Sequence, residues 1–257
     1  MNNTENDLPI LQLNQVYHGY HKRASKQSSE DVLENVSFSV QKRDFVSIVG
    51  PSGCGKTTLI NLITGLERPQ RGEILLSGRR ISGVGRDRTL VFQENALFPW
   101  LTVIQNIEFG LRVKHVPKYS RWQTALHYLQ MVHLEDYKDY LIHQLSGGMR
   151  QRVAIARALA MESEILLMDE PFGALDSQTK SVLHKEIIRL WKETGKTVIF
   201  ITHDIEEAVL LANKVIILGF APDNVKEVIE VPLAYLRQED EELSKYISHI
   251  KSVIARC

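Results

Sequence analysis

Two patterns of hydrophobic and polar positions alternate along this chain. Phe45-Val46-Ser47-Ile48-Val49, Glu164 to Met168 and Thr197 to Ile201 are short, nearly continuous apolar runs. Runs of that kind suit strands buried on both faces of a parallel sheet. Lys214 to Leu218 and Val225 to Val231 predict further strands. Ile10 to Val16 alternates, as does Val32 to Val40 through Leu33, Val36, Phe38 and Val40. Both read as half-buried strands, the first ending at Tyr17-His18-Gly19-Tyr20. Glu73 to Leu76, opened by Gly72 and closed by Ser77-Gly78, and Thr89 to Phe92, ended by Gln93, are shorter strands.

Between these runs, apolar residues recur at helical spacing. Helices are predicted after the glycine-rich turn at 50–55 to about Leu66, from Gly147 to about Ala160 behind the N-cap Ser146, and from Asp204 to Ala212. Ser177 to Thr194 puts Leu183, Ile187 and Leu190 or Trp191 on one face and stops at Gly195. Glu242 to Ala255 does the same with Leu243, Tyr246 or Ile247, Ile250 and Ile254. Pro99 to His143 is helical and amphipathic, with Leu126, Leu129 and Val132-His133 in phase and a break at Pro117. It reads as a small helical subdomain, about 97–160, inserted in a domain spanning 10–231. Residues 232–257 form a C-terminal helical extension. Alternation of strand and helix predicts an α/β fold with a parallel sheet. Residues 1–9 read as a disordered tail, and the polar stretch 21–31 as an exposed mobile loop.

Charge and cysteine content narrow the function classes. Among 257 residues, Lys+Arg and Asp+Glu are 31 each. No global field recruits nucleic acid or anionic lipid, and a nucleic-acid partner is not expected. The two cysteines, Cys54 and Cys257, lack metal-ligand spacing and suit a reducing compartment. The polar, acidic N-terminus is no signal peptide, and no apolar run approaches a membrane span. The expectation is a soluble, cytosolic chain, unless a partner holds it at a membrane.

The candidate chemistry starts between the Phe45–Val49 run and the following helix, at Gly50-Pro51-Ser52-Gly53-Cys54-Gly55-Lys56-Thr57-Thr58. Strand, glycine turn and helix form the context of a phosphate-binding P-loop. Its backbone N–H groups and the helix N-terminus attract an anion. Lys56 would reach the β- and γ-phosphates of a nucleotide, Thr57 would bind Mg²⁺, and Thr58 lies by the α-phosphate. Cys54 in that loop predicts a thiol whose modification blocks activity unless MgATP is bound. Asp169 and Glu170 follow an apolar strand, where α/β sheets bind ligands. Asp169 fits a Mg²⁺-side carboxylate and Glu170 a base for an attacking water. Gln93 ends a strand, where an amide can sense Mg²⁺ or that water. His203 ends another, where an imidazole can donate to a γ-phosphate or serve the fold alone. Leu145-Ser146-Gly147-Gly148-Met149 opens a helix with a hydroxyl and glycine N–H groups, a second anion grip. With one nucleotide loop per chain, the economical reading is that it grips the nucleotide of another copy.

From Leu11 to about Val231 the chain resembles the ATP-binding subunits of ABC transporters. GPSGCGKTT at 50–58 is similar to Walker A, Gln93 to the Q-loop glutamine, LSGGM at 145–149 to the signature motif, and ILLMDE at 165–170 to Walker B with its catalytic glutamate. Ala174-Leu175-Asp176 resembles the D-loop and Ile201-Thr202-His203-Asp204 the H-loop. The resemblance implies a P-loop NTPase core with an antiparallel β subdomain and an inserted helical subdomain. It implies ATP and Mg²⁺ as ligands, with Thr57, Gln93 and Asp169 on the metal and Asp176 near the nucleotide. Tyr20 looks like the aromatic that stacks on adenine, with Tyr17 as the rival. Subunits of this family pair head to tail, so that Ser146, Gly147 and Gly148 of one copy close on ATP held by the other. The implied partners are a second copy, transmembrane permease subunits and, indirectly, a solute-binding protein. The implied location is peripheral, on the cytoplasmic face of the membrane.

Two departures stand out. The signature usually ends in Gln and here ends in Met149, and the polar loop after Tyr20 is longer than usual. Residues 93–103 and 190–196 look most like importers for nitrate, sulfonate, taurine and related small anions. Leu97-Phe98-Pro99-Trp100 then either forms part of a groove for a short permease helix or packs inside the helical subdomain. The alternative role is an ABC ATPase without a permease, acting in a cytosolic assembly process.

Overall fold

The computed structural model describes residues 8–21, 29–232 and 240–257. Most of the expected N-terminal tail and the centre of the expected 21–31 loop lie outside those residues. Strands β1 (Leu11–His21), β2 (Ser29–Val40) and β3 (Phe45–Val49) lead into helix α1 (Lys56–Thr64). Strands β4 (Arg71–Leu76), β5 (Arg79–Arg80) and β6 (Arg88–Val91) precede helices α2 (Val103–Val113), α3 (Lys118–Met131) and α4 (Gly147–Leu159). Strand β7 (Ile165–Asp169), helix α5 (Ser177–Thr194), β8 (Thr197–Ile201) and helix α6 (Ile205–Leu211) follow. Strands β9 (Lys214–Leu218) and β10 (Val225–Glu230) and helix α7 (Asp240–Ile254) complete the chain. It folds as an α/β protein in two compact units, residues 1–85 with 197–257, and residues 86–196.

The first unit carries an antiparallel sheet in the order β2-β1-β4-β5 and a second set of strands in the order β10-β9-β3-β8. In the second set β3 pairs in parallel with both β8 and β9, and every residue of the three is buried. That double-sided burial is why they appear in the sequence as unbroken apolar runs. Strand β10 instead runs antiparallel to β9 at the edge, with inward and outward residues alternating. Direction cannot be read from periodicity, so the antiparallel run of β10 is visible only in the structure.

The hairpin of β1 and β2 is longer than its apolar pattern. Gly19 pairs with Asp31, Tyr20 with Glu30 and His21 with Ser29, so His21 and Ser29–Asp31 are strand rather than loop. An antiparallel ladder is held by backbone hydrogen bonds and needs no apolar side chains at its solvent end. Strand β1 is irregular near Gln15, which has a positive φ of 47°.

In the second unit β6 and β7 pair in parallel, Val91 opposite Met168. Helices α2, α3 and α4 pack on one another and bury Val103, Ile107, Leu129 and Val153. The inward face of α3 is Ala125, Tyr128, Leu129 and Val132, with Leu126 only half-buried, one step from the predicted stripe. In α7, in the first unit, Ile250 and Val253 are the buried pair, and Leu243, Tyr246, Ile247 and Ile254 are half-buried.

Fully buried Asn106 in α2 shapes the turn before that helix. Its Oδ1 accepts from the Phe98 N–H at 2.8 Å, and its Nδ2 faces the carbonyls of Phe98, Leu101 and Thr102 at 3.0–3.2 Å. Removing the amide leaves buried backbone groups unpaired. Asn106→Ala is expected to cost about 2–3 kcal/mol, read as a lower denaturant midpoint for the second unit. A midpoint within error of wild type would contradict this role.

Candidate functional site

In the first unit the turn between β3 and α1 leaves the start of the helix without a side-chain cap, while its Cys54 N–H donates to the Pro51 carbonyl at 3.4 Å. Helix α1 starts behind Gly55 at φ 101°, with no side-chain cap and no acidic residue in its first turn. By contrast α2, α4, α5 and α6 are each capped by a side chain: Thr102, Ser146, Asp176 and Asp204. An uncapped start leaves the first N–H groups and the helix dipole for an anion. Gly50 is required by close approach, because a Cβ there would stand 2.2 Å from the Leu218 carbonyl oxygen. Gly55 is hemmed in by Leu33 of β2, 2.6 Å from where its Cβ would be.

The Lys56 ammonium is buried and folds back over the turn, donating to the carbonyls of Gly50 at 2.8 Å and Pro51 at 2.9 Å. These are neutral partners, so its charge is not neutralised by them. Thr57 is exposed in the first turn of α1, whereas Thr58 is buried. Pro51 is half-buried, and Ser52 and Gly53 are exposed. The residues fit a nucleoside triphosphate: an uncapped helix start, one cation on neutral partners and one exposed hydroxyl. Cys54 fits less well with its expected role. Its thiol is buried and burial pushes its pKa up, which disfavours the reactive thiolate.

Tyr20 and His203 sit in the same unit. The Tyr20 hydroxyl donates to the Glu67 carboxylate at 2.9–3.0 Å and lies 3.3 Å from the Thr58 hydroxyl. Its residue is 46% exposed. The rival, Tyr17, has its ring covered by the Arg71 guanidinium, 4.7 Å from the centroid. The open aromatic beside α1 is therefore Tyr20. His203 is exposed just past β8, where the Thr202 N–H donates to the Ile48 carbonyl. It thus emerges at the strand edge from which the 50–55 turn also leaves. Thr202 is held by Glu207, whose carboxylate accepts from its hydroxyl at 2.5 Å.

The second unit carries the remaining candidates. Gln93 follows β6, and Asp169 and Glu170 lie at the end of β7, so all three emerge from one edge of the parallel pair. A Cβ on Gly173 would stand 3.6 Å from the Gln93 Nε2 and 3.9 Å from the Glu170 Oε2. The amide and the carboxylate therefore converge on one spot. Glu170 has a left-handed backbone with φ 43°, an uncommon conformation for a non-glycine residue and one that clusters at functional sites.

Ser146 caps α4, its hydroxyl accepting from the Met149 N–H at 3.3 Å. Gly147 and Gly148 let that start approach the next candidate. A Cβ on Gly148 would meet the Thr179 methyl at 2.7 Å, and one on Gly147 the Leu175 side chain at 3.2 Å. Asp176 caps α5 by accepting from the Thr179 N–H at 2.9 Å and the Thr179 hydroxyl at 2.7 Å. Those bonds hold its carboxyl below the usual range. The 145–149 turn and the 174–176 turn are thus neighbours.

Arg157 was not singled out by sequence, because a lone arginine in an amphipathic helix reads as a solvated charge. It is largely buried, and its guanidinium holds the carbonyls of Asn95 at 2.8 Å and Ala96 at 2.7 Å. Both of those residues have positive φ, 35° and 44°. The helix opened by Ser146 is thereby tied to the loop that follows Gln93. The 97–100 segment is packed at one residue and exposed at another. Phe98 is half-buried against Phe109, with centroids 4.3 Å apart, whereas Trp100 is 72% exposed.

Comparisons with known proteins identify the family. Residues 33–173 match the ABC transporter family model. The nitrate import ATP-binding protein NrtD of Synechocystis is 41% identical, over 96% of this chain and 94% of its own. The taurine import ATP-binding protein TauB of Roseobacter denitrificans is 45% identical, over 79% and 76%. The aliphatic sulfonates import ATP-binding protein SsuB of Bacillus cereus is 43% identical, over 86% and 87%. Among solved structures, a dimeric ATP-binding cassette in a post-hydrolysis state with ADP and Pi superposes with a TM-score of 0.73. It is 34% identical, covering 86% of this chain and 99% of that one. The chain belongs to the ABC transporter family, as one of its ATP-binding, ATP-hydrolysing subunits.

Proposed function

We propose that this subunit energises import of a small anion, of the class of nitrate, sulfonate or taurine, from the cytoplasmic face of a membrane. The import role rests on relatives named for nitrate, taurine and sulfonate uptake. The observation that carries the partner assignment is Trp100, an indole left largely exposed on a turn locked by a buried amide. A rigid, exposed aromatic is a common anchor for a protein partner. Here the partner is a permease subunit, since no helix among the described residues is long and apolar enough to cross a membrane. A solute-binding protein would select the anion, so the ATPase itself needs no site for it.

ATP binds with its phosphates on the N–H groups of residues 50–58 and its adenine against Tyr20. Lys56 swings from the Gly50 and Pro51 carbonyls to the β- and γ-phosphates, exchanging neutral partners for charged ones. Mg²⁺, when bound, supplies charge neutralisation on the phosphate oxygens, with Thr57, Gln93 and Asp169 as its protein-side partners. Glu170 accepts a proton from the attacking water and Gln93 orients that water, consistent with their convergence beside Gly173. His203 donates to the γ-phosphate. Catalysis is then mainly positioning and charge stabilisation. A second copy completes the site with Ser146, Gly147 and Gly148, and with Asp176 from the adjoining turn. Opening and closing of that pair would drive the permease.

Glu170→Gln is expected to lower phosphate release by roughly 10²–10⁴-fold while ATP affinity is kept. Near-wild-type turnover would refute the base. Lys56→Ala should abolish tight ATP binding in a calorimetric titration, and an unchanged Kd would count against the phosphate-loop assignment. Gly148→Ala, which drives a methyl into Thr179, should cut turnover roughly tenfold to a hundredfold at unchanged ATP affinity. Full activity there would remove the 145–149 turn from the site. Trp100→Ala should leave the activity of the isolated subunit intact and abolish co-purification with a multi-span membrane partner. Equal recovery of that partner would move the docking surface elsewhere.

A further inference from the structure

One buried polar group has no part in the mechanism above, yet it touches the phosphate loop. Asn224 stands at the head of β10, about 170 residues downstream of that loop, and is fully buried. Its Oδ1 accepts from the Glu34 N–H of β2 at 2.7 Å. Its Nδ2 faces the Val32 carbonyl of β2 at 2.9 Å, the Gly219 carbonyl after β9 at 3.0 Å and the Cys54 carbonyl of the phosphate loop at 3.3 Å. Its own N–H points to the Glu34 carbonyl at 3.5 Å, and its carbonyl accepts from the Gly219 N–H at 2.7 Å. The amide therefore ties the phosphate loop to the hairpin strand on one side and to the end of β9 on the other.

The position of the Cys54 carbonyl matters to an anion. Where N–H groups are to face a phosphate, the carbonyls between them must face away and find donors elsewhere. Lys56 serves the Gly50 and Pro51 carbonyls only until a nucleotide arrives. Asn224 is uncharged and enclosed, with nothing to gain from a phosphate, so its bond to the Cys54 carbonyl persists when ligand binds. Cys54 immediately precedes Gly55, whose left-handed backbone starts α1. Leu33 and Val32, which close over Gly55, belong to the same stretch of β2 that Asn224 holds.

We propose that Asn224 is a positioning residue for nucleotide binding. By fixing the Cys54 carbonyl outward and β2 against Gly55, it presets the phosphate loop in its anion-receiving shape. The inference rests on ATP binding at residues 50–58. It predicts an effect on affinity rather than on the chemical step, because Asn224 touches no reacting group.

The test uses the purified full-length subunit, with ATP affinity by calorimetry and phosphate release for KM and kcat. Asn224→Ala and Asn224→Asp should each weaken ATP binding about tenfold and raise KM to match, with kcat changed less than threefold. The aspartate variant keeps the volume and the acceptor for Glu34 but loses the donors, and it serves if the alanine variant does not fold. Asn35→Ala is the control. Asn35 donates at 2.9 Å to Asp223, in the same loop, and reaches no atom of residues 50–58 that the structure records as a hydrogen-bond partner. It should leave ATP affinity at the wild-type value. Wild-type affinity in both Asn224 variants would overturn the proposal, as would equal weakening by Asn35→Ala or a loss confined to kcat. Lys56→Ala separates the two readings. If it too binds ATP normally, the phosphate-loop assignment has failed; if it loses ATP while the Asn224 variants do not, only the role of Asn224 falls.

Discussion

The structure of the first unit depends on one backbone constraint: the turn between β3 and α1 is held by close packing and by bonds to its carbonyls, not by a side chain capping the helix it starts. Within it the Cys54 N–H donates to the Pro51 carbonyl at 3.4 Å. Helix α1 has no side-chain cap. Gly50 is pressed so close to the Leu218 carbonyl that no side chain fits. The outward carbonyls are served by Lys56 and Asn224, two residues of different character. One is a cation on neutral partners, which the proposed function has it exchange for the charged phosphates. The other is a neutral amide locked between strands, with no charge to draw it to an anion.

The second unit solves a different problem, that of presenting groups at the ends of rigid elements. Gln93, Asp169 and Glu170 sit at the edge of a parallel strand pair, Asp169 as the last residue of β7 and Glu170 in the turn its carbonyl closes with the Gly173 N–H. Ser146 and Asp176 spend their oxygens on capping their own helices, and Gly147 and Gly148 allow those caps to stand side by side. Arg157 links the helix so capped to the loop after Gln93. Asn106 holds the turn that displays Trp100. The loop after Gln93, the capped helix α4 and the turn carrying Trp100 therefore share one framework of helices.

Much of this was legible in the chain. The buried strands β3, β7, β8 and β9 announce themselves as unbroken apolar runs because both their faces are covered. Helix α5 could be bounded to the residue because Asp176 and Gly195 supply its two caps. The chemical motifs were readable because each demands fixed residue types at fixed spacing. What escaped was whatever backbone pairing or long-range contact decides. The solvent end of the β1–β2 hairpin is polar, so nothing in its pattern separates it from a loop. The direction of β10 is set by its neighbour. Asn224 follows a Pro and an Asp and reads as turn chemistry, since no local signal reveals that its amide reaches Cys54. That the Cys54 thiol is enclosed could not be read either, because exposure of a loop residue depends on what packs over it.

The central claim is that one copy of this chain holds ATP with residues 50–58 while a second copy closes on it with residues 145–149. A hydrolysis-deficient subunit should therefore be trapped in pairs by the nucleotide itself. The direct measurement is sedimentation of the Glu170→Gln subunit with and without saturating MgATP. The account predicts a monomer without nucleotide and a dimer with it, reverting to monomer when ATP is removed. A subunit that stays monomeric at saturating MgATP, even with its membrane partners present, would contradict the account.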